Sequence, residues 1–254
     1  MKGNKILFGL FAGLSLIFTA NVFAQVNTGN GLIEIGPDNV AGRVTSIVID
    51  QSDNTHQTIY AGAATGGLFV RSNDTRRAPY ANMWNRVKCV VDGEEVSLPV
   101  SHMIQGPDNT IYIATGEGCF NKSDKFSTMS MLGRGIFRFN PVTGELSRIP
   151  NTEPSDINHP FASVNKLACL TYNGVLYFYA ATSQGLYRWT VSSEADWSNT
   201  PVCYQPNYPI YDVVPIQASK MVYFSSFGSL YRISDVSSSS TPVDIYNSMP
   251  STDV

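Results

Sequence analysis

The feature that most constrains this chain is an internal repeat. A strand built on tyrosine followed by small residues occurs as Thr58-Ile-Tyr-Ala-Gly62, Thr110-Ile-Tyr-Ile-Ala-Thr115, Val175-Leu-Tyr-Phe-Tyr-Ala-Ala-Thr182 and Met221-Val-Tyr-Phe-Ser-Ser226. Each is followed by a glycine-led strand: Gly67-Leu-Phe-Val-Arg71, Gly135-Ile-Phe-Arg-Phe139, Gly185-Leu-Tyr-Arg-Trp189 and Gly228-Ser-Leu-Tyr-Arg-Ile233. The equivalent residues Leu68, Ile136, Leu186 and Leu230 are spaced by 68, 50 and 44 positions, so the first interval carries an insertion. Such self-similarity means one supersecondary unit whose copies bury their apolar faces on each other.

Ahead of each tyrosine strand lies another β-rich run: Arg43–Asp50, Val100–Gln105, Val164–Thr171 and Ile210–Gln217. Turn signals join the two, namely Asp53-Asn54, Gly106-Pro-Asp-Asn109 and Asn173-Gly174, the last favoured for a type I′ hairpin. A weaker fourth strand is clearest at Met83–Val87 and Pro242–Tyr246. Four antiparallel strands recurring at roughly 40 to 50 residues predict an all-β β-propeller, with blades near 40–90, 98–150, 160–205 and 208–248 in one domain spanning 25–254. A flat meander would expose long apolar edges, whereas a sandwich or β-helix shares the short strands and turns. Leu32-Ile-Glu-Ile35 reads as the outer strand of a last blade, by which the N-terminus closes the ring. Four blades are visible, and propellers commonly have more, so the chain is expected to be the N-terminal part of a larger propeller in a longer protein.

The first residues set the compartment. Lys2 and Lys5 precede an apolar run from Ile6 to Ala20, and Val22-Phe23-Ala24 offers small residues where a signal peptidase reads, so a signal peptide cleaved after Ala24 is expected. The run is shorter than the roughly 20 residues that span a bilayer, and no comparable run follows, so no membrane span is expected in the mature chain. Loss of this segment removes two lysines and no acids, leaving a net charge of −5 and making nucleic acid an improbable partner. The remaining length suffices for one large core without staples. Cys89, Cys119, Cys169 and Cys203 permit two disulfides in any of three pairings and match no metal spacing.

From Ile35 to Trp84, the run Ile-Gly-Pro-Asp-Asn-Val-Ala-Gly-Arg-Val-Thr-Ser and then Thr-Ile-Tyr-Ala-Gly-Ala-Ala-Thr-Gly-Gly-Leu-Phe-Val-Arg-Ser-Asn-Asp resembles the opening blade of sortilin-like and xyloglucanase-like Asp-box propellers. Ile113-Ala-Thr-Gly-Glu-Gly118 and Gly133-Arg-Gly-Ile-Phe137 are similar to the second blade of secreted bacterial members. The likeness implies an Asp-box, a turn in which an Asp accepts backbone N–H bonds above a packed Trp. Ser72 and Asp74 begin one, with Trp84 as its aromatic after an insertion. About two blades match well and two only by pattern, so the resemblance argues for fold more than for activity.

Tests for chemistry come back without a complete set. Where xyloglucanase-like enzymes carry a first-blade Asp, the matching residue is Ala64, and glycoside hydrolysis ordinarily needs two carboxyl groups. Arg148-Ile-Pro150 has the letters of a sialidase signature but follows an outer strand. His56, His102 and His159 stand in different units without ligand spacing, and His102 reads as packed or hydrogen-bonded. Asp50 to Asn54 and Asp108-Asn109 are oxygen-rich enough for calcium, but turn formation explains them without a metal. No catalytic residue, cofactor site or metal site is assigned.

In a propeller, the loops entering the innermost strands and those joining second to third strands share one rim. That rim gathers Asn39 to Arg43, Ala64 to Gly66, Glu117 to Leu132, Ser183-Gln184 and Phe227, with Tyr204 to Tyr208 beside them. Arg43 and Glu117 are the charges expected to orient a polar ligand, unless they pair to tie two blades together. Tyr204 and Tyr208 are candidates to stack on sugars or peptide side chains, unless they only stiffen a proline-flanked loop. The expected function is a secreted or cell-surface module that binds a protein or glycan without chemistry of its own. The alternative is a glycan-cleaving hydrolase with carboxylates partly outside this segment.

Overall fold

A computed structural model describes residues 43–71, 84–118 and 131–246. The signal segment, Leu32–Ile35, Ser72, Asp74 and Cys119 lie outside the described residues. The repeat resolves into four antiparallel sheets, each a meander of consecutive strands. The first sheet holds β1 (Val44–Ile49), β2 (Ile59–Ala63), β3 (Gly67–Arg71) and β4 (Asn85–Arg86). A hairpin of β5 (Val90–Val91) and β6 (Glu94–Glu95) follows, turning through Asp92 and Gly93, both at positive φ. The second sheet holds β7 (Val100–Gln105), β8 (Ile111–Thr115), β9 (Ile136–Phe139) and β10 (Leu146–Arg148). The third holds β11 (Val164–Tyr172), β12 (Val175–Thr182), β13 (Gly185–Val191) and β14 (Val202–Tyr204). The fourth holds β15 (Ile210–Ile216), β16 (Met221–Ser226), β17 (Ser229–Ile233) and β18 (Val243–Asp244). This is a mostly-β chain of blade-like sheets.

The strand residues are apolar on both faces because each interior sheet is sandwiched. On β8, Ile111 and Ile113 pack with Tyr60 and Leu68 of the first sheet, whereas Tyr112 and Ala114 pack with Phe178 and Trp189 of the third. On β12, Phe178 and Ala180 face the second sheet, while Tyr177, Tyr179 and Ala181 face Val213 and Phe224 of the fourth. Each such large side chain contributes about 1.5–3 kcal/mol on burial. The recurring tyrosine is therefore a wedge between sheets at Tyr60, Tyr112 and Tyr179, opposite Val48, Ile104 and Ala168. Tyr223, opposite Val214, holds the same register in the fourth sheet.

A second regularity joins the innermost strands. β1, β7, β11 and β15 each break register after their first residue, leaving Thr45, Ser101, Asn165 and Tyr211 as the extra residue of a β-bulge. Thr45 Oγ1 donates to the Val100 carbonyl at 2.7 Å, Ser101 Oγ to the Val164 carbonyl at 2.5 Å and Asn165 Nδ2 to the Ile210 carbonyl at 2.7 Å. The first three bulges thus each hold the first residue of the following sheet. The position facing the bulge is small in every sheet, as Gly62, Ala114, Ala181 or Ser225. At Gly62 a Cβ would stand 2.3 Å from Val100 Cγ1, so close approach of the sheets requires glycine there.

The threonine ending the motif closes the next turn. Thr115 Oγ1 accepts from the Arg134 N–H at 2.8 Å and donates to the Gly135 carbonyl at 2.5 Å. Thr182 repeats this with Gln184 and Gly185. Gly135 adopts φ +97°, and a side chain there would meet the Thr152 carbonyl at 2.4 Å. Asn173 and Gly174 take φ of 52° and 77°, as a type I′ hairpin demands.

The acidic turn residues are spent within their turns. Asp53 accepts from the Thr55 and Thr58 hydroxyls and N–H groups, and these bonds hold its carboxyl well below the usual range. Asp50 accepts from Ser52 and Gln105, and Asp108 from Thr110 and Tyr112. Cys89, Cys169 and Cys203 are free thiols, and burial pushes Cys89 and Cys169 up to about 11. No helix among the described residues is long and apolar enough to cross a membrane.

His102 sits beside the latch between the second and third sheets, its Nδ1 accepting the Leu167 N–H at 3.2 Å. Burial, aided by Lys166 and opposed by Asp212, pushes it down from 6.5 to about 4. A lowered histidine binds fewer protons folded than unfolded, so stability is full above pH 6.5 and falls as pH drops toward 4. Thermal unfolding should show a loss of about 2 kcal/mol across that window, after discounting for partial exposure, and His102→Gln should flatten it. An unchanged pH profile in the variant contradicts this assignment.

Candidate functional site

A cleft of about 390 Å³ opens where the innermost strands begin, lined by Arg43, Val44, Thr45, Ser101, Glu117 and Asn165. Arg43 directly precedes β1, and its carbonyl accepts the Ala64 N–H at 2.9 Å. Glu117 follows β8 and is held by a bridge to Met131. The turn into it depends on Gly116, at φ +84°, where a Cβ would lie 2.3 Å from the Ala162 carbonyl.

The guanidinium of Arg43 grips the Glu117 carboxylate in a two-pronged pair, Nη1 to Oε1 at 2.8 Å and Nη2 to Oε2. The side chains are 57% and 40% exposed, so the pair joins the first two sheets while remaining open to a ligand. Thr45, Ser101 and Asn165 have already committed donors to the latch carbonyls. The cleft therefore offers further acceptor capacity from those three residues beside the charged pair. Among its described lining residues there is one carboxylate, no histidine and no cysteine. That set can hold and orient a polar ligand, but it lacks the second carboxyl group of ordinary glycoside hydrolysis.

The structure brings Arg43 and Glu117 into contact and separates the two tyrosines. Tyr204 is not the rim side chain expected from sequence. It lies in β14, is 3% exposed, donates to the Ser238 carbonyl at 2.5 Å and packs under the Arg188 guanidinium. The cause is the extension of the third sheet by an outer strand through Tyr204, which turns its ring into the contact with the fourth sheet. Tyr208 is 58% exposed in the following loop. Exposed Phe227 belongs to the adjoining β16–β17 turn, joined to that loop by the Ser226 hydroxyl donating to the Pro209 carbonyl at 2.9 Å. Ser183 of the expected rim is buried.

Other sequence candidates have structural surroundings. Trp84 is buried against Ala61, Ala63 and Phe69. Ala64 is buried where the hydrolase Asp would be. Arg148 lies on β10, pairs with Glu153 at 2.8 Å and covers the Phe137 ring. The cleft residues that sequence reasoning missed are Thr45, Ser101 and Asn165. Each is a polar residue second in its strand, which in sequence looks like an ordinary surface position.

These sheets and this cleft define a propeller-like all-β chain with a polar rim. No protein-family model matches the sequence, and no curated protein matches it either. Among solved structures, the chain is similar to a GH74 xyloglucanase from Xanthomonas campestris, with TM-score 0.51 and 16% identity, covering 75% of this chain and 28% of that one. It also matches the extracellular domain of a putative one component system from B. thetaiotaomicron, with TM-score 0.46 and 15% identity over 75% of this chain and 20% of that one. A putative 6-phosphogluconolactonase from Bacteroides uniformis matches with TM-score 0.47 and 15% identity over 82% of this chain and 56% of that one. The chain thus spans less than two thirds of the length of each, and the likeness to the xyloglucanase is one of fold.

The two kinds of candidate should separate in stability measurements. Arg43→Ala should cost less than about 1 kcal/mol in urea unfolding, because its ion pair is half exposed. Tyr204→Ala should cost about 3–5 kcal/mol, since a buried ring and its hydrogen bond are lost. Equal costs for the two variants would contradict the placement of Tyr204.

Proposed function

We propose that this chain builds blades of a secreted or cell-surface β-propeller of the Asp-box type, which binds a protein or glycan through its rim and performs no chemistry. The observation that carries the reading is the Arg43–Glu117 pair at the mouth of the polar cleft. The only carboxylate among the described lining residues is held by a guanidinium, in a setting suited to orienting hydrogen bonds rather than transferring protons. Tyr208 and Phe227 supply exposed rings on the same rim, the kind of surface on which sugars and apolar side chains stack. The N-terminal lysines, apolar run and Val22-Phe23-Ala24 support export. Ser72 and Asp74, with Trp84, are assigned to the Asp-box on sequence.

The fold likeness to a xyloglucanase makes hydrolysis the reading to test against. The full chain should bind at least one ligand in an array of glycans and peptides. Arg43→Ala and Glu117→Gln should each weaken that binding about tenfold or more, a loss of about 1.4 kcal/mol. No reducing sugar should be released from β-glucans or xyloglucan. Turnover abolished by a single Asp or Glu substitution would overturn the proposal.

A further inference from the structure

One residue beyond each latch, successive innermost strands are tied a second time. Ser46, His102 and Lys166 hold the third position of β1, β7 and β11, and Met103, Leu167 and Val213 hold the fourth position of the strand that follows each. In the seam between the first and second sheets, Ser46 Oγ accepts the Met103 N–H at 2.9 Å. Between the second and third sheets, His102 Nδ1 accepts the Leu167 N–H at 3.2 Å. Lysine offers no acceptor, so between the third and fourth sheets Asp212 Oδ1 takes the Val213 N–H at 2.7 Å, and Lys166 Nζ reaches the same oxygen at 3.0 Å. One job is thus done by a hydroxyl, an imidazole and an ion pair. Of these groups, the imidazole is the one whose ordinary pKa lies between pH 5 and 8.

A neutral ring whose Nδ1 accepts a hydrogen bond carries its proton on Nε2. A second proton on Nδ1 turns the acceptor into a donor and sets it against the Leu167 N–H, so the tie is lost on protonation. The charged groups facing the ring are Lys166 on β11 and Asp212 on β15, which are joined to each other, and β8 presents Ala114 opposite it. Burial, aided by Lys166 and opposed by Asp212, holds the ring at about 4, so acid favours a ring that has left its place. His102 directly follows Ser101, and Leu167 lies two residues after Asn165, so this tie sits beside two residues that line the cleft.

From these observations we infer that the seam between the second and third sheets is an acid-sensitive catch on the cleft: protonation of His102 parts β7 from β11 and draws Ser101 away from Asn165, while the Ser46 tie keeps the first seam shut. The catch is a property of the seam and is tested without a ligand. Release in acid of whatever the cleft holds is its functional consequence, and that consequence alone rests on the binding proposal.

Amide hydrogen exchange of the full chain, read residue by residue by NMR, tests the catch. The protection factor of Leu167 should fall about tenfold or more from pH 7 to pH 5, a window in which ordinary carboxylates stay largely ionised, and that of Met103 should hold. His102→Asn, whose Oδ1 accepts at either pH, should keep Leu167 protected at both. Should that variant fail to fold, the wild-type Leu167 amide signal is followed against the His102 ring signal, and the two should titrate together. Equal Leu167 protection at pH 7 and pH 5 overturns the inference, as does an equal fall at Met103 or in the variant. A Leu167 signal that moves independently of the ring overturns it as well.

Discussion

The hydrogen bond from a bulged residue to the next sheet's first carbonyl fixes the geometry on which everything else depends. Antiparallel strands left to themselves extend a sheet sideways. Here the extra residue breaks that tendency, because its side chain is aimed out of its own sheet and onto the start of the following one. Once Val100, Val164 and Ile210 are held, the innermost strands lie side by side and the remaining strands fan outward from them. The small residue facing each bulge, Gly62, Ala114, Ala181 or Ser225, supplies the room that this approach needs.

Packing adds most of the energy to that arrangement. With both faces of an interior sheet covered, Tyr112 and Tyr179 bury their rings completely while their hydroxyls find Asp108 and the Val236 carbonyl. Phe178 and Trp197 meet edge to face, and Arg138 lies over Trp197, so aromatic and cationic groups share one interface. The same geometry positions the cleft. Thr45, Ser101 and Asn165 hold the sheets together and line the opening, so the fold itself determines which atoms a ligand meets.

Much of the architecture was legible in the sequence because strand residues, turn residues and spacing all reported it. Val100–Gln105, Val175–Thr182 and Met221–Ser226 form strands with the bounds read from pattern. The bulges were not legible, since a polar residue near a strand's start looks like ordinary surface alternation until its partner is known. Tyr204 misled for a related reason. A tyrosine near Pro201 and Pro206 resembles a loop residue, and only the pairing of β14 with β13 shows that its ring is enclosed. Arg43 and Glu117 were named individually from their loops, but 74 residues separate them, and the contact is a product of folding.

The bulge side chains carry a real share of the adhesion between sheets. Equilibrium urea unfolding of Ser101→Ala measures this most directly. The variant leaves the Val164 carbonyl without its donor and should lose about 1–2 kcal/mol, which Ser101→Thr should largely restore. A Ser101→Ala protein as stable as wild type would mean that apolar packing alone joins the sheets, and would contradict the claim.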